Sequence, residues 1–270
     1  MSLRGLLTGG LLLALVPLSG CPATASRPAT PAPPAGTVVS DAQHLAQDLG
    51  AGSALTARTT IIVHRAKQDD ATFDVAWWVA APGRVRVEAS AHDVVFCKAT
   101  LDQHQAYLAA LPRDQVVTSG SLGPTPGTPW LLTALQLAAA ELLQGPIDPN
   151  LPMTPGGTAG TVHVALPGGL SAEVTVDAGA QAFTAKHIMD SAGAELVAIT
   201  YARYRPYDEL RRPSVLTMAF PDGSTATLYL RKFQSVGRFS DGALHLEADP
   251  SWTSIDLTDF LARLEHQGNG

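Results

Sequence analysis

The chain has 270 residues, a formal net charge of −6, and 46% hydrophobic against 16% charged residues. That balance supplies one sizeable core and excludes wholesale disorder. The mild acidity argues against nucleic acid as a partner.

Residues 1–20 carry Arg4, then the apolar run Leu11–Val16, and close on Leu18-Ser19-Gly20 before Cys21. A basic start, a short apolar middle and a small-residue end predict a secretory signal peptide, because the run is too short to span a membrane. The last four residues, Leu18-Ser19-Gly20-Cys21, resemble a bacterial lipobox. The resemblance implies that Cys21 receives lipid, palmitate included, and becomes the mature N-terminus. The alternative is an ordinary signal peptide with an accidental cysteine. Each buried methylene adds about 0.8 kcal/mol, so a cysteine carrying several acyl chains would hold permanently. Pro22 and Ala23 put no acidic residue second. Under the sorting rule of some enteric bacteria, that favours the outer membrane, facing the periplasm, over the inner one.

Lipidation of Cys21 would leave Cys97 without a partner for an intrachain disulfide. It lies in the apolar run Val94–Cys97 and reads as a small buried hydrophobe rather than a reactive thiol.

Residues 22–37, rich in Pro, Ala and Thr, read as an extended tether reaching about 50 Å at roughly 3 Å per residue. The expected organisation is a signal peptide over 1–20, a lipidated N-terminus and tether over 21–38, and one domain over 39–270. Ser40-Asp41 predicts a helix start, with Leu45 and Leu49 on one face. From Thr59 the period becomes two. Phe73, Val75, Trp77 and Val79 alternate with Asp74, Ala76, Trp78 and Ala80, and Val85, Val87 and Ala89 alternate with Arg84, Arg86 and Glu88. Strands are expected near 94–99, 105–111 and 114–118.

Pro129 suits the first position of a helix over 129–144, with Thr128 as cap and Gly145-Pro146 as stop. Its polar residues, Thr133, Gln136, Glu141 and Gln144, form a narrow arc, and leucines, Trp130 and alanines fill the rest. A surface helix needs a much narrower apolar stripe. This helix is therefore expected to be deeply buried or to face a cavity. Strands resume over 162–166, 172–176, 182–189, 195–204 and 215–220. The turn Pro221-Asp222-Gly223 then leads into a strand near 226–230, and an amphipathic helix is predicted over 255–264. The sum is α+β, mainly β: about ten to eleven antiparallel strands in a sheet long enough to curl, with helices at the start, middle and end.

Three stretches carry a resemblance to the LolA/LolB-like superfamily of periplasmic lipoprotein and lipid carriers. They are Trp77–Glu88 with its Pro-Gly turn, the run Tyr107–Pro112, and the hairpin Pro213–Leu230 followed by Phe233–Phe239. The resemblance implies a strongly curved antiparallel sheet, an incomplete β-barrel, whose apolar concave face is a groove covered by helices. Carrier members often place a lid-latching basic residue before the Pro; here that position is Ala81. The family's hairpin Asp-Gly is replaced by Asp102-Gln103. An anchored chain is closer to the receiving, LolB-type role than to a soluble shuttle.

On this reading the chain binds a lipid or the acyl chains of a lipoprotein, for localisation to or transfer at the outer membrane. A periplasmic carrier protein is a further expected partner, and the membrane itself is contacted through Cys21. A two-chain lipid exposes some thirty methylenes, a cost on the order of 20 kcal/mol in water that only an enclosed groove offsets. The expected lining is Phe73, Val75, Trp77, Val85, Val87, Phe96, Trp130, Leu131, Leu135, Leu142, Met218, Phe220, Leu228 and Leu230. Arg203, Tyr204, Arg205, Arg211 and Arg212 interleave basic and aromatic residues and are the candidate membrane-surface contact. Alternation of Tyr and Arg across two strand faces explains the same pattern. No phosphate loop, zinc spacing or nucleophile elbow is present, so neither an enzyme, a cofactor nor a metal is expected. His92-Asp93 reads as an exposed strand-edge pair. The alternative function is a non-catalytic envelope scaffold or sensor that uses the same fold to bind a protein.

Overall fold

The structure, a computed structural model, describes residues 35–49, 54–65, 70–81, 83–102, 106–121, 130–207, 210–240 and 242–268. The signal segment, Cys21, most of the tether, Thr128, Pro129, Asp208 and Glu209 lie outside the described residues.

In chain order the elements are α1 (Ala35–Leu49), β1 (Ala54–His64), β2 (Ala71–Ala80), β3 (Arg84–Ala91), β4 (Val94–Leu101), β5 (Ala106–Leu111) and β6 (Val116–Ser121). There follow α2 (Trp130–Gln144), β7 (Met153–Pro155), β8 (Thr161–Ala165), β9 (Ser171–Asp177), β10 (Ala182–Met189) and β11 (Glu195–Tyr207). The chain closes with β12 (Leu210–Ala219), β13 (Thr225–Val236), β14 (Thr253–Ser254) and α3 (Leu257–Gly268). All fourteen strands belong to one curved, unclosed sheet in the order β14-β6-β5-β4-β3-β2-β1-β13-β12-β11-β10-β9-β8-β7. Every pairing is antiparallel except β14 with β6. This is the α+β, mainly β curved sheet that the alternation predicts, open as in the incomplete barrel that the resemblance implies.

The count exceeds the expected ten or eleven, partly because two very short edge strands, β7 and β14, show no alternation. Their partners supply the hydrogen bonds that make them strands. α1 begins at Ala35, so Ser40 is inside the helix rather than its cap, and the last residues assigned to the tether are helical. α2 and the late hairpin fall where their signals place them.

One face of the sheet is apolar. Leu55, Ala57, Ile61 and Val63 of β1 share it with Val75, Trp77 and Val79 of β2 and with Leu228 and Leu230 of β13. All are buried, and Trp77 donates its indole N–H to the Thr59 hydroxyl at 2.8 Å. That bond satisfies the ring's only polar atom and makes a large aromatic tolerable in the core. Three helices pack on this sheet. α1 crosses β7–β10 and β12, α2 lies on β1 and β2, and α3 lies on β6 and β2. Ala42 and Ala46 of α1 and Ala134 and Ala138 of α2 are buried in the same core. A second apolar cluster, Phe96, Cys97, Ala109, Leu111, Val116 and Phe260, sits under α3.

Candidate functional site: the ends of α1 and α2 and the cleft beside α2

The helix over residues 130–144 is apolar nearly all round, so burial alone does not say how it is oriented. One polar residue does. Glu141, expected in the solvent-facing arc, is 4% exposed. It accepts a bond from Lys186 Nζ of β10 at 2.7 Å and one from the Tyr201 hydroxyl of β11 at 2.9 Å. Burial, and then the negative charge of Glu141, pushes the Tyr201 hydroxyl well above its ordinary pKa. The pair with Lys186 is what makes burying this carboxylate affordable.

Arg212 lies at the same end. It was expected at the membrane surface; the structure corrects this, because the residue is 3% exposed. Its guanidinium donates to the backbone carbonyls of Glu141 at 3.2 Å, Leu142 at 2.6 Å and Leu143 at 3.5 Å. It also donates to the carbonyl of Leu49, the last residue of α1. The last carbonyls of a helix have no partner within it and carry the negative end of its dipole. A single cation thus ties the C-termini of both helices to β12. Its far face stacks on Phe233 at 4.3 Å. Burial lowers its pKa to about 10, with the negative charge of Glu141 opposing the shift, so it stays charged at neutral pH.

Gly145 completes the junction. Its φ of +74 ends α2, its N–H bonds the Glu141 carbonyl at 3.0 Å, and a Cβ there would meet Leu49 Cβ at 3.2 Å. Glycine fits both the left-handed turn and the close approach.

Away from this junction the inner face is dry and loosely filled. A cleft of about 50 Å³ lies between Leu135 and Gln136 of α2 and a floor of Val85, Val87, Ala99, Thr100, Leu101, Tyr107 and Ala109. The floor is low because small side chains alternate along β4 and β5. For scale, a cavity of about 150 Å³ takes a benzene ring. The cleft in this conformation is therefore nearly closed. A wider concavity of about 750 Å³ lies between α1 and the start of β12, lined by Asp41, His44, Asp48, Gln181 and Arg211 among others. Leu45, Leu49, Ala178 and Leu210 complete a wall of mixed character, which would set part of an acyl chain against polar groups.

The predicted lining residues divide accordingly. Val85, Val87 and Leu135 border the cleft. Val75, Trp77, Leu142, Met218, Leu228 and Leu230 are buried in the packed core, and Phe220 packs against its margin. Phe96 lies under α3, edge-on to Phe73 at 6.0 Å. The side chains of Trp130 and Leu131 lie outside the described residues. Arg203, Arg205 and Arg211 are exposed. Tyr204 is half-buried, and its hydroxyl accepts from the Phe183 N–H and donates to the Phe183 carbonyl. Cys97 is buried, and burial pushes its thiol up to about 12. His92 and Asp93 form the β3–β4 turn at positive φ. Among the described residues no His, Cys, Asp and Glu cluster suited to a metal is found.

Glu141, Lys186, Tyr201 and Arg212 as a unit escape the sequence reading. The available signal was Lys186, a charged residue in the inward phase of β10 two positions before Ile188.

No family model matches the chain, and no curated protein matches it in sequence. Its fold does match solved structures. A DUF1329 family protein from Desulfovibrio piger ATCC 29098 superposes with a TM-score of 0.57 at 12% identity, covering 78% of this chain and 97% of that one. A LolA superfamily protein from Nitrosomonas europaea gives 0.51 at 8% identity, covering 80% and 99%. A domain from Vibrio parahaemolyticus assigned to outer membrane lipoprotein sorting gives 0.51 at 14% identity, covering 78% and 97%. The fold is LolA-like.

Proposed function

We propose that this LolA-like chain is a non-catalytic envelope protein that takes up an acyl chain of a lipid or lipoprotein between α2 and β3–β5. The observation that carries the reading is the dry cleft bounded by Leu135, Val85, Val87, Ala99, Leu101 and Ala109. Every methylene moved from water to such a surface gains about 0.8 kcal/mol. Because the cleft is nearly closed, uptake requires α2 to lift at its Trp130 end. The Gln144 end stays fixed by Arg212 and Glu141, so the helix pivots there. Lipidation at Cys21 would hold the chain at a bilayer, the outer membrane facing the periplasm in the sorting rule above. That placement suits a LolB-type receiver of cargo from a periplasmic carrier.

The test is a photo-crosslinker at position 135 of the full chain, mixed with an acylated lipoprotein, alongside mass spectrometry of lipid that copurifies. An adduct at position 135 and bound lipid are expected. Folded protein with neither refutes the proposal. The small volume of the cleft favours one alternative, a scaffold or sensor whose groove stays filled. It predicts a defined protein partner in a pull-down and no lipid.

A further inference from the structure

The hairpin β11–β12 leaves the sheet at its tip. β10 pairs with β11 only over Ala185–Met189, opposite Thr200–Glu195, and β12 pairs with β13 only over Val215–Ala219. Residues 202–207 and 210–214 therefore extend past the neighbouring strands as an arm, held by their own ladder, by Arg212 in the helix junction and by two tyrosine stays. The Tyr204 hydroxyl bonds the Phe183 backbone, and the Tyr207 hydroxyl donates to the Leu230 carbonyl at 2.8 Å.

The arm is basic, and the strands beside it are basic too. Arg203, Arg205 and Arg211 are exposed on it. On the adjoining strands Arg58 stands opposite Lys232, and Arg231 is the extra residue where the β1–β13 register shifts. All three are exposed. The Tyr207 bond to the Leu230 carbonyl sets this end of β11 beside β13, the strand that carries Arg231 and Lys232. Among the described residues none of these six cations has a carboxylate partner. The nearby carboxylates are Asp74, bonded by the Thr60 hydroxyl that also accepts from Arg231, and Asp41 and Asp48, which share a concavity with Arg211. Counting Asp208 and Glu209 in the sequence still leaves the region positive. In a chain of net charge −6, such a cluster stands against the general balance.

We propose that Arg58, Arg203, Arg205, Arg211, Arg231 and Lys232 form a docking surface for the phosphate headgroups of an anionic bilayer. Guanidinium forks match phosphate oxygens in pairs, and an exposed arm can meet a broad charged plane. A bilayer is favoured over an acidic protein because lipidation of Cys21, part of the reading above, keeps one within the reach of residues 22–34, about 40 Å when extended. An acyl anchor and a basic patch are the two signals that together hold a protein firmly on a membrane. The surface differs from the one read from sequence: Arg212 is withdrawn into the helix junction, and Arg58, Arg231 and Lys232 join from other strands.

The experiment is sedimentation of the full chain carrying Cys21→Ser, which removes the acyl anchor, with vesicles of phosphatidylcholine, alone or mixed with phosphatidylglycerol. The comparison is between Arg205→Glu with Lys232→Glu and a control of equal charge, Arg113→Glu with Arg263→Glu. The patch variant should lose at least about thirtyfold in binding to the anionic vesicles. The control should stay near the parent, phosphatidylcholine binding should not change, and high salt should weaken the parent. Equal loss in both variants, no loss in either, or salt-independent binding overturns the proposal. Poly-glutamate retaining the parent as tightly as vesicles at equal charge also overturns it, in favour of an acidic protein. A fluorescent acyl probe measured on the same proteins separates the two readings. Probe uptake with no patch effect leaves the cleft standing alone, and a patch effect without uptake leaves the docking surface alone.

Discussion

The two ends of α2 meet the sheet through opposite chemistry. At the Gln144 end, Glu141 pairs with Lys186 and Tyr201, and Arg212 binds the terminal carbonyls. One turn and a half earlier, Leu135 faces alanines and valines with space left over. Directional bonds between buried charges break all at once, whereas apolar contacts over small residues slide and reform. The difference teaches where such a helix can move. A lid needs one end that lets go cheaply and another that does not let go.

The largest expected effect comes from breaking the fixed end. Glu141→Ala leaves Lys186 buried without its partner and should cost about 3–5 kcal/mol in denaturant unfolding. Glu141→Leu combined with Lys186→Met should recover much of that loss, since a packed apolar pair replaces a desolvated ionic one. Failure of the double variant to recover would mean that Tyr201 and Arg212 depend on the carboxylate too. Arg212→Lys keeps the charge but not the fork, so the carbonyls of two helices compete for one ammonium. It should cost about 2–3 kcal/mol, read as a lower Tm.

A pH series probes the packed cluster beneath α3. The Cys97 thiol, on β4 beneath α3, is raised from 9.0 to about 12 on folding. Its contribution to stability is complete below pH 9 and is lost as pH rises through about 12, because the unfolded chain releases the proton first. At about pH 10.5 the loss should be about 2 kcal/mol. Tyr201, also raised, acts in the same sense above its ordinary pKa of 10.0. Melts of Cys97→Ala should show a flatter alkaline limb. An unchanged limb would place the thiol in a wetter site than the structure does.

The smallest effect on stability should be the largest on uptake. Ala99→Phe fills the cleft, costing about 1–3 kcal/mol through overpacking, while acyl-probe binding should fall on the order of tenfold or more. Unchanged uptake would move the acyl site elsewhere.

Much of this architecture was legible in the linear chain. Strand alternation such as Phe73-Val75-Trp77-Val79 depends on neighbours two residues away, and the stop at Gly145 depends on one turn of helix. Both are local, so they survive without a structure. The cleft was legible only as a surplus of leucine and alanine in one helix, since core and lining residues have the same composition. Edge strands β7 and β14 were not legible, because their hydrogen bonds belong to partners.

By itself, then, the sequence determined an apolar sheet face, its curvature and an over-apolar helix that had to be buried against it. Only the tertiary structure decided what each charge does. Arg212 sits among Arg203, Arg205 and Arg211 in the chain, yet it alone is drawn inward, because residues 49, 141–143 and 233 bring free carbonyls and an aromatic face to it. Bringing together partners as far as 163 positions apart is the work of the fold, and no local pattern records it.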